Sequence, residues 1–374
     1  MNKSIQRILL LLYLAINMLF IEKYASRITS YHLIITIAYM LCTCLIIGGI
    51  VKKLTSLSRP NLWLIATTLV FIGAAIILQY AIDPYTIQVD RWSAIHNFLT
   101  AMLQGNYPYG ATTHLGGYGS PFPVWQILHL PLFFAGNVGL SIFLTTIAFI
   151  TTLYHCHSSK AALITTILLA LSPAFWYEIA VRSDLITNMM LVAIISEWLI
   201  YQKIKLSNST IPIGILAGLI LSTRLIAIIP ICALYGYEFL KMGWKKQVTC
   251  IVATILTFTI TFLPFVLWNG STLFFFEYNP FVLQTRQGSY LVLLIFAIIA
   301  ITITLHQKGN TKYLSATTGL LLTILVVMAF AEKMWMHQLW NGLFTSAFDI
   351  TYLSAALPFY IAHLSRSFIA INRI

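Results

Sequence analysis

Apolar runs of bilayer length recur from one end of this chain to the other, and they leave it few ways to fold. A segment crosses the hydrocarbon layer as a helix when about 20 predominantly apolar residues follow one another. Such runs lie at 5–21, 32–51, 62–82, 138–156, 161–177, 185–202, 211–223, 226–240, 247–268, 289–305, 313–330 and 346–363. Of the 374 residues, 59% are hydrophobic and 9% charged, where a soluble domain carries about a quarter charged. No aqueous fold hides that much apolar surface, and hydrocarbon removes the need to hide it. The expectation is an all-α polytopic membrane protein with about 12 transmembrane helices (11–13 by different groupings) in a single transmembrane domain over residues 1–374. The 211–223 and 226–240 runs meet at Thr223-Arg224 and read alternatively as one kinked span.

Charge adds a direction. The formal net charge is +12. No compact Lys/Arg cluster argues for nucleic acid, and basic loops facing anionic lipid explain the excess. With the N-terminus inside, Lys52, Lys53, Lys203, Lys205, Lys241, Lys245, Lys246, Arg366 and Arg373 fall on the cytoplasmic side, and Arg91, Arg182, Arg224 and Arg286 on the other. That bias places both termini in the cytoplasm. Lys3 and Arg7 precede the apolar stretch from Ile8 to Ile21, with no cleavage site after it, so an uncleaved first span is expected. Most acids, including Asp83, Asp90, Glu178, Asp184 and Asp349, fall on the outer side, while Glu197 and Glu238 do not. Ionic chemistry is thus expected outside. Cys42, Cys44, Cys156, Cys232 and Cys250 lie in or beside apolar runs and read as core-filling residues without disulfides. His155-Cys156-His157 alternates around a helix and is not expected to hold metal.

The longest stretch between spans is 83–120, and with the segment after it forms an external loop over 83–137. A long loop with structure of its own is usually functional. Asp90 reads as an N-cap, and Trp92, Ile95, Phe98, Leu99, Met102 and Leu103 recur on one face of the helix that follows. This helix is expected to lie in the interface with that face in lipid, and Gly105 stops it. Asp83, in Asp-Pro directly after a span, reads as a turn-former or a second carboxylate. Tyr107-Pro108-Tyr109, Thr113-His114 and Gly116, Gly117 and Gly119 give an irregular path. The glycines lack the preceding strand and following Lys-Ser/Thr of a phosphate loop. The 121–137 segment, interrupted by Pro121, Pro123 and Pro131, reads as an interfacial or re-entrant helix.

The order Asp90-Arg-Trp-Ser-Ala-Ile, Gly105-Asn-Tyr-Pro108-Tyr109 and Ser120-Pro-Phe-Pro resembles the first external loop of the GT-C glycosyltransferases, in particular the bacterial mannosyltransferase-like membrane enzymes. The detailed likeness covers about 50 residues, roughly 83–136, and here the loop follows the third apolar run, where many members place it after the first. The resemblance implies a multi-pass protein of the bacterial cytoplasmic membrane with its active site on the outer face. It implies transfer of a hexose, mannose among the candidates, from a polyprenyl-phosphate donor to a glycan or glycolipid acceptor, with inversion. The base is then Asp90, favoured by its spacing to Gly105, or Asp83.

Arginines at outer span ends suit the departing phosphate by charge and fork geometry. Arg224 is the foremost, since an ionisable residue in an apolar context is a functional candidate. Arg286 is a second. Arg182 and Asp184 are expected to pair with each other or to reach substrate, and Arg91, His96, Tyr109 and His114 to line the sugar site. A lipid-phosphate sugar carries its own leaving group, so neither metal nor cofactor is expected. The main alternative is a membrane transporter or lipid flippase, for which Glu197 and Arg224 are the supporting residues. A polysaccharide polymerase and a scaffold protein fit less well: one needs a later large loop, and the other leaves 83–120 unexplained.

Overall fold

The computed structural model describes residues 3–54, 57–286, 288–345 and 347–371. Arg373 lies outside them. Among the described residues the chain is helical, with no strand beyond an isolated bridge between Thr112 and Tyr118. The first three apolar runs form α1 (Lys3–Ala25), α2 (His32–Leu54) and α3 (Pro60–Ala81). The large loop holds α4 (Arg91–Leu103), α5 (Pro123–Leu128) and α6 (Leu130–Phe134). Then come α7 (Ser141–Cys156), α8 (Ser159–Ala170), α9 (Pro173–Ala180), α10 (Leu185–Tyr201), α11 (Thr210–Leu221), α12 (Ile228–Lys241) and α13 (Trp244–Phe275). The set is completed by α14 (Pro280–Thr285), α15 (Tyr290–Gln307), α16 (Leu314–His337), α17 (Thr351–Ser354) and α18 (Leu357–Ile371).

Each apolar run has become helix, yet the expected count of spans is not reached by length. Seven helices among the described residues are long and apolar enough to cross a bilayer, or eight if α8 and α9, bent by 69°, count as one. Helices α10, α11, α12 and α18 have 17, 12, 14 and 15 residues, short of the about 20 that hydrocarbon requires. Apolar content alone does not distinguish a span from a helix buried in protein, because both are apolar all round. Helix α18 is the clearest case. Its side chains from Leu357 to Phe368 are almost all buried, and it packs against α1, α8, α10 and α16. It also starts later than the 346–363 run, because 347–351 is drawn into a polar cluster described below.

Outside that centre, one face of each long helix stays apolar and exposed. Examples are Leu33, Ile37 and Leu41 on α2, Leu62, Leu69 and Ile77 on α3, Ile251 and Ile255 on α13, and Leu291, Leu294 and Ile298 on α15. Apolar faces this extensive mark a surface whose solvent is lipid. Cys42, Cys44 and Cys232 are exposed, so only Cys250 is buried and the core-filling expectation fails for those three.

Helix ends follow local rules. Ser158, Ser172, Asn279 and Ser289 accept backbone N–H groups at the starts of α8, α9, α14 and α15. Proline opens α3, α5, α9 and α14, where its missing N–H is no loss. The run expected to end at Trp268 does break there: Asn269 leaves helical geometry inside α13, and its side chain accepts from Ser271 Oγ and the Thr272 N–H. The runs at 211–223 and 226–240 form two helices, separated by Arg224 in an extended conformation. Helix α11 packs on α13 through Gly214 and Gly218. A Cβ on Gly218 would stand 2.6 Å from the Thr254 carbonyl oxygen, and one on Gly214 2.9 Å from that of Cys250. This is a small-xxx-small contact of the kind that brings membrane helices close.

Candidate active site

The large loop does not lie flat on lipid. The apolar face of α4 is turned into protein: Trp92, Ile95, Phe98 and Leu99 are buried in a cluster with Tyr109, Phe122, Trp125 and Phe265. The expected helix is present, with Asp90 at its N-cap position and Gly105 at φ 77° after its end. Its apolar side, however, found Phe265 of α13 and the returning loop, and protein rather than hydrocarbon receives it. The 121–137 segment forms only α5 and α6, of six and five residues, so it does not span. Its start is tied down by backbone, with Phe122 and Val124 N–H donating to the Thr223 and Ser222 carbonyls. The loop therefore docks directly onto the break between α11 and α12.

That docking assembles the polar chemistry. At the break, Arg224 is 6% exposed and donates to Asp184 Oδ2 at 2.5 Å. Asp184, 2% exposed, precedes α10 and also accepts from Trp125 Nε1 of α5 at 2.6 Å. Its other oxygen, Oδ1, is buried without a hydrogen-bond partner among the described residues. Burial alone would raise the Asp184 carboxyl, but the Arg224 guanidinium, its hydrogen bond and Arg91 hold it below the usual carboxylate range. On the other side of the α9–α10 turn, Arg91 of α4 donates to Ser183 Oγ at 2.9 Å and to Asp349 Oδ2 and Thr351 Oγ1 at 2.6 Å each. Glu178, fully buried, lies 3.9 Å from Arg91 Nη1. The Arg91 guanidinium sits 5.3 Å from the Tyr352 ring centroid. Burial works against the Arg91 charge, but Asp349 and the other nearby acids outweigh it and keep the guanidinium firmly charged.

No family model, no curated protein and no solved structure matches this chain.

Arg224 and Tyr352 both reach a cavity of about 270 Å³. Its walls are otherwise mainly apolar, with Ile229 of α12, Leu293 and Phe296 of α15, and Val326, Ala329 and Phe330 of α16. Polar atoms gather at one end, where Arg224, Ser120 and Gln284 meet. Gln284 holds that end together. Its Nε2 donates to the Ser120 carbonyl at 2.7 Å, and its Oε1 accepts the Leu225 N–H at 2.7 Å. The cavity is thus amphiphilic: mainly apolar walls that carry one guanidinium, beside Ser120 of the large loop.

Asp90 is half-buried, with Oδ2 accepting from Thr113 Oγ1 at 2.8 Å. It makes no side-chain cap bond to α4, so the carboxylate is aimed at the loop. A Cβ on Gly117 would stand 2.9 Å from that oxygen, so the glycine lets the chain pass. Asp83 is exposed and accepts the Tyr85 N–H at 3.0 Å, the turn-forming role.

Several residues expected at the sugar site have partners within the protein. Tyr109 is 3% exposed, against Phe98 and Phe265, with its hydroxyl toward the Pro121 carbonyl. His114 is held at both ring nitrogens, by Ser93 Oγ and the Ile87 carbonyl. His96 packs on Phe133 and pairs with Asn97. Arg182 does not pair with Asp184. It donates to the Gln79 and Ile82 carbonyls at the end of α3. Sequence proximity misled here, because Arg182 sits at φ 51° in the turn and points the other way. Arg286 is exposed and lies 5.4 Å over the Tyr278 ring, which stacks on Tyr118 of the large loop.

Asp349, Glu178, Trp125, Gln284 and Tyr352 were not singled out as site residues from the sequence. The signal available was weak: a lone acid or glutamine beside a span, without local pattern. Glu197, a candidate for transport, is occupied elsewhere by Ser315 Oγ, His157 Nε2 and Arg366.

Proposed function

We propose that the chain is a membrane glycosyltransferase that moves a hexose from a polyprenyl-phosphate donor to an extracytoplasmic glycan or lipid acceptor. The observation that carries this reading is the amphiphilic cavity with Arg224 at its polar end. An isoprenoid chain suits the apolar walls, and a phosphate suits a guanidinium at their edge. In the reaction, the acceptor hydroxyl oxygen attacks the anomeric carbon as the bond from that carbon to the phosphate oxygen breaks. The hydroxyl proton passes to Asp90, and the phosphate leaves with its charge beside Arg224. Attack opposite the leaving group inverts configuration. The resemblance of roughly 83–136 to the GT-C loop supports the same assignment. On this reading the about twelve helical segments form a GT-C-like transmembrane domain, with the loop and both active carboxyl and guanidinium groups on the outer side.

Ala329→Trp tests the donor chamber, since it fills the cavity from α16 and replaces neither Arg224 nor Asp90. In proteoliposomes with a radiolabelled polyprenyl-phosphate hexose, we expect transfer to fall at least tenfold with the melting temperature retained. Unchanged donor use would remove the cavity from the mechanism. Buried charges beside a cavity also favour the transporter reading. Uptake of an intact solute into the same vesicles, without glycosyl transfer, would decide for it.

A further inference from the structure

A second opening shares no lining residue with that cavity. Helix α2 packs on α1, and α3 packs on α8 and α9. Between α2 and α3 runs a groove of about 490 Å³, with Leu45 and Gly49 on one wall, Trp63 on the other, and Leu163 and Ile167 of α8 as its floor. Lys53, in the last turn of α2, stands at one end of it. A Cβ on Gly49 would meet no atom within 4 Å.

The groove is flanked by two of the long apolar helices, so it sits where the solvent is lipid. Water does not suit it, because a bound water needs two or more polar partners. The one hydroxyl in the wall, Thr67 Oγ1, donates to its own Trp63 carbonyl at 2.7 Å. Hydrocarbon is what fits. At the Lys53 end the surface changes character: the lysine is exposed, and Trp63 is 53% exposed in the first turn of α3. An amphipathic ring and a cation together mark the depth of a headgroup.

We propose that the α2–α3 groove seats one acyl chain of an anionic phospholipid, with its headgroup phosphate at Lys53. The chain enters along Gly49, where the missing side chain leaves room, and rests on Leu163 and Ile167. The seat is independent of the glycosyl-transfer reading and stands or falls without it.

Native mass spectrometry of the full chain in mixed micelles with equal phosphatidylglycerol and phosphatidylcholine tests it. The wild type is expected to retain one phosphatidylglycerol, about fivefold over phosphatidylcholine, the weight of one lysine at an anionic surface. Gly49→Leu fills the groove and should cut retention at least tenfold, with the melting temperature in detergent unchanged or higher. Leu45→Trp, from an exposed wall position, should do the same if Gly49→Leu fails to fold. Lys53→Gln should keep lipid bound but bring the two headgroups to near parity. Wild-type parity between the two lipids, or full retention in a correctly folded groove-filled variant, would overturn the seat. Displacement of the lipid by inorganic phosphate alone would also overturn it, because the site would then be a surface anion site.

Discussion

Asp184→Leu is expected to lower the stability of the detergent-solubilised protein by about 3–5 kcal/mol, because it strands the Arg224 guanidinium without its partner. The pair is closed to solvent on both sides, with side chains 7% and 2% exposed. Removing one member leaves an uncompensated charge and also orphans Trp125 Nε1, whose only hydrogen bond among the described residues is to the lost carboxylate. The double variant Asp184→Leu/Arg224→Met is expected to recover most of that loss, since replacing a buried pair with apolar residues is often neutral or stabilising. It should nonetheless lose donor use. A pair that exists for stability would give a double variant as unstable as the single one; a pair that exists for function gives a stable, inactive protein. Thermal melts beside transfer assays separate the two. The pH dependence follows the same pair. The Asp184 carboxyl is depressed in the folded state, so its contribution is full above the unfolded value of about 3.9. It is lost as pH falls through the folded value, below that point. Wild-type melting temperature should therefore fall more steeply under strong acid than that of the double variant. Equal acid slopes would mean that this pair does not titrate on unfolding.

Asp90→Asn is expected to reduce sugar transfer by about 10²–10⁴-fold, the usual weight of a general base, with expression and melting temperature close to wild type. The fold should tolerate it because Asp90 does not cap α4 through its side chain, and an amide oxygen still accepts from Thr113. A control is Asp83→Asn, which only weakens a turn before Tyr85 and should leave transfer within about twofold, within the ±0.5 kcal/mol usual for a surface change. Full activity in Asp90→Asn removes it as the base. Loss in Asp83→Asn with activity kept in Asp90→Asn would exchange their roles.

Much of the architecture was legible because hydrocarbon imposes one rule on every span: the backbone must satisfy itself. Each apolar run is helical, Asp90 and Gly105 bracket α4, and the proline-broken 121–137 segment does not cross. Less was legible where two elements meet. The apolar face of α4 looked the same for lipid and for Phe265, since both accept a ring. Arg182 and Asp184 looked like partners because they are two residues apart, and a left-handed turn sent them to different neighbours.

The periodicity and length of its apolar segments thus determined that this chain is a helical membrane protein with one structured large loop. Local chemistry decided those features, because backbone pairing and side-chain transfer act residue by residue. Only the tertiary structure brought Arg224 to Asp184, 40 positions away, and Arg91 to Asp349, 258 positions away. A buried charge requires a partner, but sequence spacing carries no record of which one the packing of helices will deliver.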